Sequence, residues 1–168
     1  MVAGKLPSDP EIRGITSDSR AVQPGFLFAV LKGVREDGAA FIEDALSRGA
    51  AALLTGPDVS LGGNASIPVL VSPNPRRSYA LLAAKFYGKQ PKSIAAVTGT
   101  NGKSSVVSFL RQIWCLNGRT AASLGTLGLE SELISTSLNH TTPDPVVIHA
   151  HLARLATDGV EHVAIEAS

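Results

Sequence analysis

One segment constrains the fold more than any other, because an apolar run, a glycine loop and a helical pattern follow one another directly. Residues 94–98, IAAVT, predict a buried strand, and residues 103–117 predict a helix with apolar side chains at helical spacing. Between them, Gly99 and Gly102 can adopt a positive φ and let the backbone approach an anion. Strand, loop and helix in this order direct N–H groups toward a phosphate. The segment therefore predicts a nucleotide-binding loop.

The loop departs from the common phosphate-loop pattern G-x-x-x-x-G-K-[ST], whose first glycine would fall where this chain has Val97. Lys103 and Ser104 nevertheless follow Gly102 directly. A simple Gly-Asn turn would explain the glycines, but not a lysine at a helix start, where a cation opposes the helix dipole. We therefore expect Lys103 to contact the β- and γ-phosphates of ATP and the Ser104 hydroxyl to bind Mg²⁺.

A carboxylate ends a second apolar strand, which is predicted from the sequence HVAIE at residues 162–166. Ligands of parallel α/β sheets bind at the carboxyl ends of the strands. Glu166 is therefore expected to face the loop that contains Lys103 and Ser104, and to hold a metal ion. The alternative interpretation is a solvated glutamate at a strand end.

Strand and helix patterns alternate along the chain, as is typical of parallel βαβ units. Strands are predicted at 26–31, 51–54, 67–71, 94–98, 120–125 and 162–168, and helices at 38–49, 74–88, 103–117 and 143–159. We predict an α/β protein with a small N-terminal α/β domain over residues 1–90. An incomplete parallel-sheet phosphate-loop domain follows over residues 91–168. Because domains typically have about 100–150 residues, the second domain is short and the chain is expected to be a fragment.

The composition fits a folded protein and gives no electrostatic reason to expect a nucleic-acid partner. Hydrophobic residues make up 44% and charged residues 17% of the 168 residues, which predicts a packed core, and the net charge is only +1. No apolar run reaches the ~18 residues that a membrane-spanning helix needs, so no membrane insertion is expected. A single cysteine, Cys115, fits a reducing cytosol.

Several segments together resemble the Mur ligase family. Residues 15–54 resemble its N-terminal uridine-nucleotide-binding domain, and VTGTNGKSS at 97–105 resembles its ATP loop, which also lacks a glycine at the place of Val97. NHTTPDP at 139–145 resembles the substrate loop of the branch that ligates diaminopimelate or lysine. AIEAS at 164–168 resembles the start of a catalytic segment of the same branch. The resemblance covers nearly the whole chain.

The resemblance implies a role for particular residues. ATP binding is implied for the loop residues Gly99, Thr100, Asn101, Gly102, Lys103, Ser104 and Ser105. Substrate binding is implied for Ser17, Ser19, Val34, Arg35, Glu36, Thr141, Thr142 and Ser168. Catalytic roles are implied for Lys103 and Glu166, and Mg²⁺ binding for Ser104 and Glu166. Each segment alone has a plainer interpretation; residues 17–20, for example, also fit a turn in which Asp18 pairs with Arg20.

The activity that the resemblance implies is ATP-dependent amide ligation in peptidoglycan precursor synthesis. The D-Glu carboxylate of UDP-MurNAc-L-Ala-D-Glu becomes an acyl phosphate, and the amine of meso-diaminopimelate or L-lysine then attacks it. ATP and Mg²⁺ are the implied cofactors, and the complete enzyme is expected to be cytoplasmic and monomeric. Because the chain lacks the family's carbamylated lysine and its amino-acid-selecting motif, we expect it to be inactive alone.

Three alternatives stay open at this point. A MurF-type ligase shares the N-terminal region, although its substrate loop does not usually contain the sequence TTPDP. A non-catalytic module would bind the UDP-sugar peptide and never hydrolyse ATP. An unrelated phosphate-loop ATPase is disfavoured by Val97, and the choice between diaminopimelate and lysine is undecided.

Overall fold

The computed structural model describes residues 9–33, 37–60, 67–132, 135–136 and 143–167. The chain divides into two compact units, Met1–Phe86 and Tyr87–Ser168. Strands and helices alternate in both, so the predicted α/β class is confirmed. No helix within the described ranges is long and apolar enough to cross a membrane.

The first unit is built on four parallel strands. They are β1 (Gly14–Thr16), β2 (Phe26–Ala29), β3 (Ala52–Thr55) and β4 (Val69–Val71), in the spatial order β1-β2-β3-β4. A 3₁₀ turn at Gly38–Phe41 leads into helix α1 (Ile42–Ser47), and helix α2 (Pro75–Tyr87) follows β4. Strand β1 was not predicted, because three residues are too few to show a periodic pattern.

Helix α2 begins and ends where local signals predict. The Asn74 side-chain oxygen accepts a hydrogen bond from the Arg77 N–H at 3.0 Å, and Pro75 takes the first helical position, where a missing N–H has no consequence. Gly88 follows the last helical residue with a φ of 71°, the left-handed conformation that commonly ends helices.

One core cluster of the first unit lies between the sheet and α1 and consists of Val22, Phe28, Val30, Ala45, Ala50 and Leu53. Helix α2 contributes the buried side chains of Tyr79 and Ala83. The low aromatic content of the sequence is therefore met by close packing of aliphatic side chains between strand and helix.

The second unit contains a five-stranded mixed sheet and two helices. Its strands are β5 (Ser93–Val97), β6 (Ala121–Gly125), β7 (Gly128–Ser131), β8 (Ser135–Thr136) and β9 (His162–Glu166), in the order β5-β9-β6-β7-β8. Its helices are α3 (Lys103–Leu116) and α4 (Pro145–Thr157). Strands β5, β9 and β6 are parallel, as predicted, whereas β7 and β8 add to the sheet in antiparallel orientation.

The antiparallel strands β7 and β8 extend the predicted parallel sheet and were not predicted. A two-residue turn, 126–127, joins β6 to β7, and Gly125 pairs with Gly128 across it. So short a connection forces antiparallel pairing, since a parallel pair needs a crossover of about a dozen residues. Strand β7 contains only one large apolar residue, Leu129, and therefore gives no periodic signal in the sequence.

The core of the second unit lies between the sheet and α4, and includes Leu124, Leu152, Leu155 and Val163. Asp144 caps α4, since its side chain accepts from the Val146 N–H at 2.8 Å.

Candidate functional site

The glycine loop joins the end of β5 to the start of α3. Gly102 directly precedes the helix and has a φ of 78°, and Gly99 has a φ of 149°. A Cβ atom at Gly102 would meet no atom within 4 Å, so the need for glycine there is conformational rather than steric. The two glycines therefore shape the loop as the sequence predicts, and leave open space at its helical end.

Lys103 turns back across this loop. Its Nζ donates a hydrogen bond to the Gly99 carbonyl oxygen at 2.6 Å. Gly102, at the N-cap, offers no side-chain bond to the first N–H groups of α3, and residues 98–102 are exposed. The loop thus presents an ammonium group and helix N-terminal N–H groups in one accessible place. This set of donors suits a polyphosphate.

Glu166 lies next to the strand that leads into the loop. It is opposite Val97 in the parallel pairing of β9 with β5, and the Ala167 N–H donates to the Val97 carbonyl at 2.9 Å. Because Val97 ends β5, Glu166 lies at the same edge of the sheet as the loop. The carboxylate therefore lies at the predicted edge of the sheet, while its role in metal binding stays a prediction.

The environment of Glu166 excludes the solvated strand-end interpretation. The residue is only 2% exposed. Its Oε1 accepts from the Thr126 N–H at 3.0 Å, and its Oε2 accepts from the Thr126 hydroxyl at 3.1 Å. A Cβ atom at Gly125 would lie 2.3 Å from Oε1, so the carboxylate occupies the space that a side chain there would fill.

Sequence reasoning did not single out Gly125 or Thr126. They end β6 and begin the turn after it, and β6 pairs with β9 through Leu124 and Ile165. The contact with Glu166 depends on this strand order, which inserts β9 between β5 and β6. No local pattern predicts that insertion. The sequence offers one signal for these two residues, the short turn sequence GTLG after an apolar strand.

The residues at this edge fit a Mg²⁺ ion held largely by nucleotide phosphates. Mg²⁺ prefers oxygen ligands, and proteins usually bind it through one or two carboxylates together with substrate phosphates. Glu166 supplies a carboxylate at this edge, and a carboxylate has two oxygens with about four lone-pair sites. Within the described part of the chain, no cluster of three or more His, Cys, Asp or Glu could form an all-protein cage. Ser104 and Glu166 therefore remain the predicted protein ligands.

A separate cavity of about 590 Å³ lies in the first unit. Its lining is formed by Ser17, Asp18, Ser19, Arg20, Phe41 and Asp44. The volume falls within the range of small-molecule sites, about 300–1,000 Å³. The structure thus brings the predicted substrate residues Ser17 and Ser19 together with Phe41 and Asp44, which sequence reasoning did not select.

Ion pairs organise the polar side of this cavity. Arg20 donates to both carboxylate oxygens of Asp18, at 2.9 and 2.8 Å, and this hydrogen bonding lowers the pKa of Asp18. Arg48 donates to Asp44 at 2.9 Å, and this bond, followed by one from Ser19, lowers the pKa of Asp44. The predicted turn with paired Asp18 and Arg20 is confirmed, and that same turn lines the cavity.

The other predicted substrate residues lie outside the described residues. They are Val34, Arg35, Glu36, Thr141, Thr142 and Ser168. Their roles remain predictions.

A parallel-sheet α/β unit that is followed along the chain by an α/β unit with a glycine loop between strand and helix defines a two-part α/β protein of the phosphate-loop type. Residues 11–87 match the family described as "Mur ligase family, catalytic domain", and residues 97–168 match "Mur ligase middle domain". The chain belongs to the Mur ligase family.

Three curated relatives are named UDP-N-acetylmuramoyl-L-alanyl-D-glutamate–2,6-diaminopimelate ligase. The Brucella melitensis protein is 56% identical and the Agrobacterium fabrum protein 50% identical, each over 94% of this chain and 32% of the relative. The Mesorhizobium japonicum protein is 47% identical over 99% of this chain and 34% of the relative. The chain thus spans about a third of the length of these relatives.

Solved structures show the same fold. A structure of a UDP-N-acetylmuramoyl-L-alanyl-D-glutamate–2,6-diaminopimelate ligase matches with a TM-score of 0.77 and 28% identity, over 94% of this chain and 32% of that one. The MurF ligase from Thermotoga maritima in complex with ADP matches with a TM-score of 0.57 and 22% identity, over 95% of this chain and 33% of that one. The latter likeness shows the fold alone.

Proposed function

We propose that this chain is the uridine-nucleotide-binding and ATP-loop part of an ATP-dependent amide ligase of peptidoglycan precursor synthesis. The complete enzyme adds meso-diaminopimelate, or L-lysine, to UDP-MurNAc-L-Ala-D-Glu. One observation carries the proposal: Lys103, the N-terminus of α3 and the buried Glu166 share one edge of the second sheet. The names of the three relatives support the substrate class and favour diaminopimelate.

The glycine loop binds the phosphates of ATP in this proposal. The N–H groups of residues 99–105 surround the phosphates, and Lys103 offsets the charge that builds up on the γ-phosphoryl group during its transfer. The Ser104 hydroxyl and the Glu166 carboxylate would hold Mg²⁺. When bound, this ion supplies positive charge that lets the acceptor carboxylate approach the phosphates.

The first unit binds the nucleotide end of the acceptor. Ser17 and Ser19 contact the uridine part in the cavity, together with the predicted contacts Val34, Arg35 and Glu36. Binding energy from this remote group orients the D-Glu carboxylate for attack on ATP. The carboxylate takes the γ-phosphoryl group and ADP leaves; the amine of the diamino acid then attacks the carbonyl carbon of the acyl phosphate, and phosphate leaves. A cytoplasmic, monomeric complete enzyme is part of the same proposal.

Titration calorimetry with ATP and Mg²⁺ tests the proposal. We expect the chain to bind ATP, and Lys103→Ala to weaken binding about tenfold or more, because a hydrogen bond to a charged group contributes about 1.5–3 kcal/mol. Lys89→Ala is the matched control, since Lys89 is exposed and lies outside the loop. Equal ATP affinities for Lys103→Ala and Lys89→Ala would contradict the proposal.

One observation favours a second function, a binding module without ATP chemistry. The cavity with Ser17 and Ser19 lies wholly within the first unit, so uridine-nucleotide binding does not require an intact ATP loop. Such a module would bind UDP, and its titration with ATP would release no heat of binding. Parallel titrations with the two nucleotides therefore separate the two functions.

A further inference from the structure

We propose that Gly125 and Thr126 are positioning residues that fix the Glu166 carboxylate for metal binding beside the glycine loop. The inference rests on the proposed function, because it assigns a partner to the predicted metal ligand. Gly125 and Thr126 are outside the predicted ATP-binding and substrate-binding sets. They lie at the carboxyl end of β6, the strand that pairs with β9.

Thr126 holds both oxygens of the carboxylate. Its N–H donates to Oε1 at 3.0 Å and its hydroxyl donates to Oε2 at 3.1 Å. The terminal torsion of a glutamate side chain is broad when nothing restrains it. One hydrogen bond would leave the carboxylate plane able to rotate, whereas two bonds to different oxygens set its orientation. Glu166 therefore presents its oxygens in one direction.

Gly125 makes this close approach possible. A Cβ atom there would lie 2.3 Å from Oε1 and 2.5 Å from both Cδ and Cγ of Glu166, well inside any real contact. The φ of Gly125 is not positive, so the requirement for glycine is steric rather than conformational. Because Glu166 is 2% exposed, its carboxylate has little space into which it can retreat from an added methyl group.

A short hairpin turn carries Thr126. Thr126 belongs to a two-residue hairpin turn that the Gly125–Gly128 pair closes, so the ladder of β6 and β7 fixes the direction of its N–H. Burying a carboxylate is costly unless its oxygens are hydrogen-bonded. The turn thus supports a buried charge at the sheet edge where the loop after Val97 begins.

The Mg²⁺-dependent gain in ATP affinity tests the inference. For each variant of the 168-residue chain, calorimetry gives the ratio of the Kd for ATP in EDTA to the Kd in saturating Mg²⁺. We expect Thr126→Val, which removes the hydroxyl but keeps the N–H, to reduce this ratio about tenfold. Thr126→Ser should retain the wild-type ratio. Thr136→Val on the exposed β8 is the matched control, and should also retain it.

A double-mutant cycle separates positioning from a purely structural role. If Thr126 acts through Glu166, Thr126→Val should change the ratio in the wild-type background and leave it unchanged in a Glu166→Gln background. Gly125→Ala should lower the ratio in the same way, and provides the test if Thr126→Val does not fold. Melting curves without nucleotide or metal report the stability of each variant separately.

The outcomes are distinct. ATP binding with an unchanged ratio in Thr126→Val, or equal losses in Thr126→Val and Thr126→Ser, would overturn the inference and leave the proposed function standing. Failure of the wild-type chain to bind ATP would instead refute the proposed function, and the inference with it.

Discussion

The two candidate sites hold their carboxylates in opposite ways. In the first unit, Asp18 and Asp44 pair with arginines at the surface, and their side chains are 47% and 40% exposed. In the second unit, Glu166 is buried and bonded to an N–H and a hydroxyl of one residue. Exposed ion pairs contribute little to stability, whereas a buried polar group without its partner is costly. The first site should therefore tolerate substitution better than the second.

The largest loss of stability is expected from removing the buried Glu166 carboxylate. Glu166→Ala would leave the Thr126 donors without the carboxylate and create a small cavity, and we expect it to lower the free energy of unfolding by about 1–3 kcal/mol. Asp44→Ala, the exposed counterpart, should lower the free energy of unfolding by much less, because exposed ion pairs contribute little to stability. Urea unfolding followed by Trp114 fluorescence and circular dichroism measures both.

The isosteric variant Glu166→Gln checks the cause of that loss, because it fills the same space and keeps an oxygen acceptor. It should retain most of the stability that Glu166→Ala loses. If Asp44→Ala and Glu166→Ala lower the free energy of unfolding by the same amount, the contrast between the exposed and buried sites is wrong.

Protonation of Asp18 and Asp44 at low pH is expected to lower the stability by a smaller amount. The pKa values of Asp18 and Asp44 are lowered from 3.8 in the folded state by their arginine partners. Their contribution to stability is therefore complete above the unfolded pKa, and is lost as the pH falls through the lower folded values. We expect stability to decline from about pH 4 downward, and Asp18→Asn combined with Asp44→Asn to make this decline shallower.

Urea titrations at a series of pH values, from about pH 5 to about pH 2.5, measure that slope. The wild-type chain is the reference in each buffer. An identical slope in the double variant would show that these surface pairs do not contribute to acid sensitivity.

Local signals predicted most of the helices and the glycine loop. Asn74, Pro75 and Gly88 mark the ends of α2 through short-range chemistry, and Asp144 does so for the start of α4. The edge at which Glu166 lies was also predictable, because parallel strands place their carboxyl ends together.

Long-range pairing accounts for the features that sequence reasoning missed. The order β5-β9-β6 brings Glu166 to Gly125 and Thr126 across about forty positions of sequence, and no periodic pattern encodes that pairing. The β7–β8 extension was missed because its strands are short and carry few apolar residues. Phe41 and Asp44 belong to the first-unit cavity only through the packing of α1 beside the turn at Ser19–Ala21.

The most direct test of the central claim is to map both nucleotides on the chain by ¹H–¹⁵N NMR. With ATP and Mg²⁺, we expect shifts of the amide signals of residues 99–105 and of Thr126, without changes at Ser17 and Ser19. With UDP, we expect the reverse pattern, centred on Ser17 and Ser19. If ATP left the glycine loop unchanged, or both nucleotides moved the same signals, the assignment of two separate nucleotide sites would be contradicted.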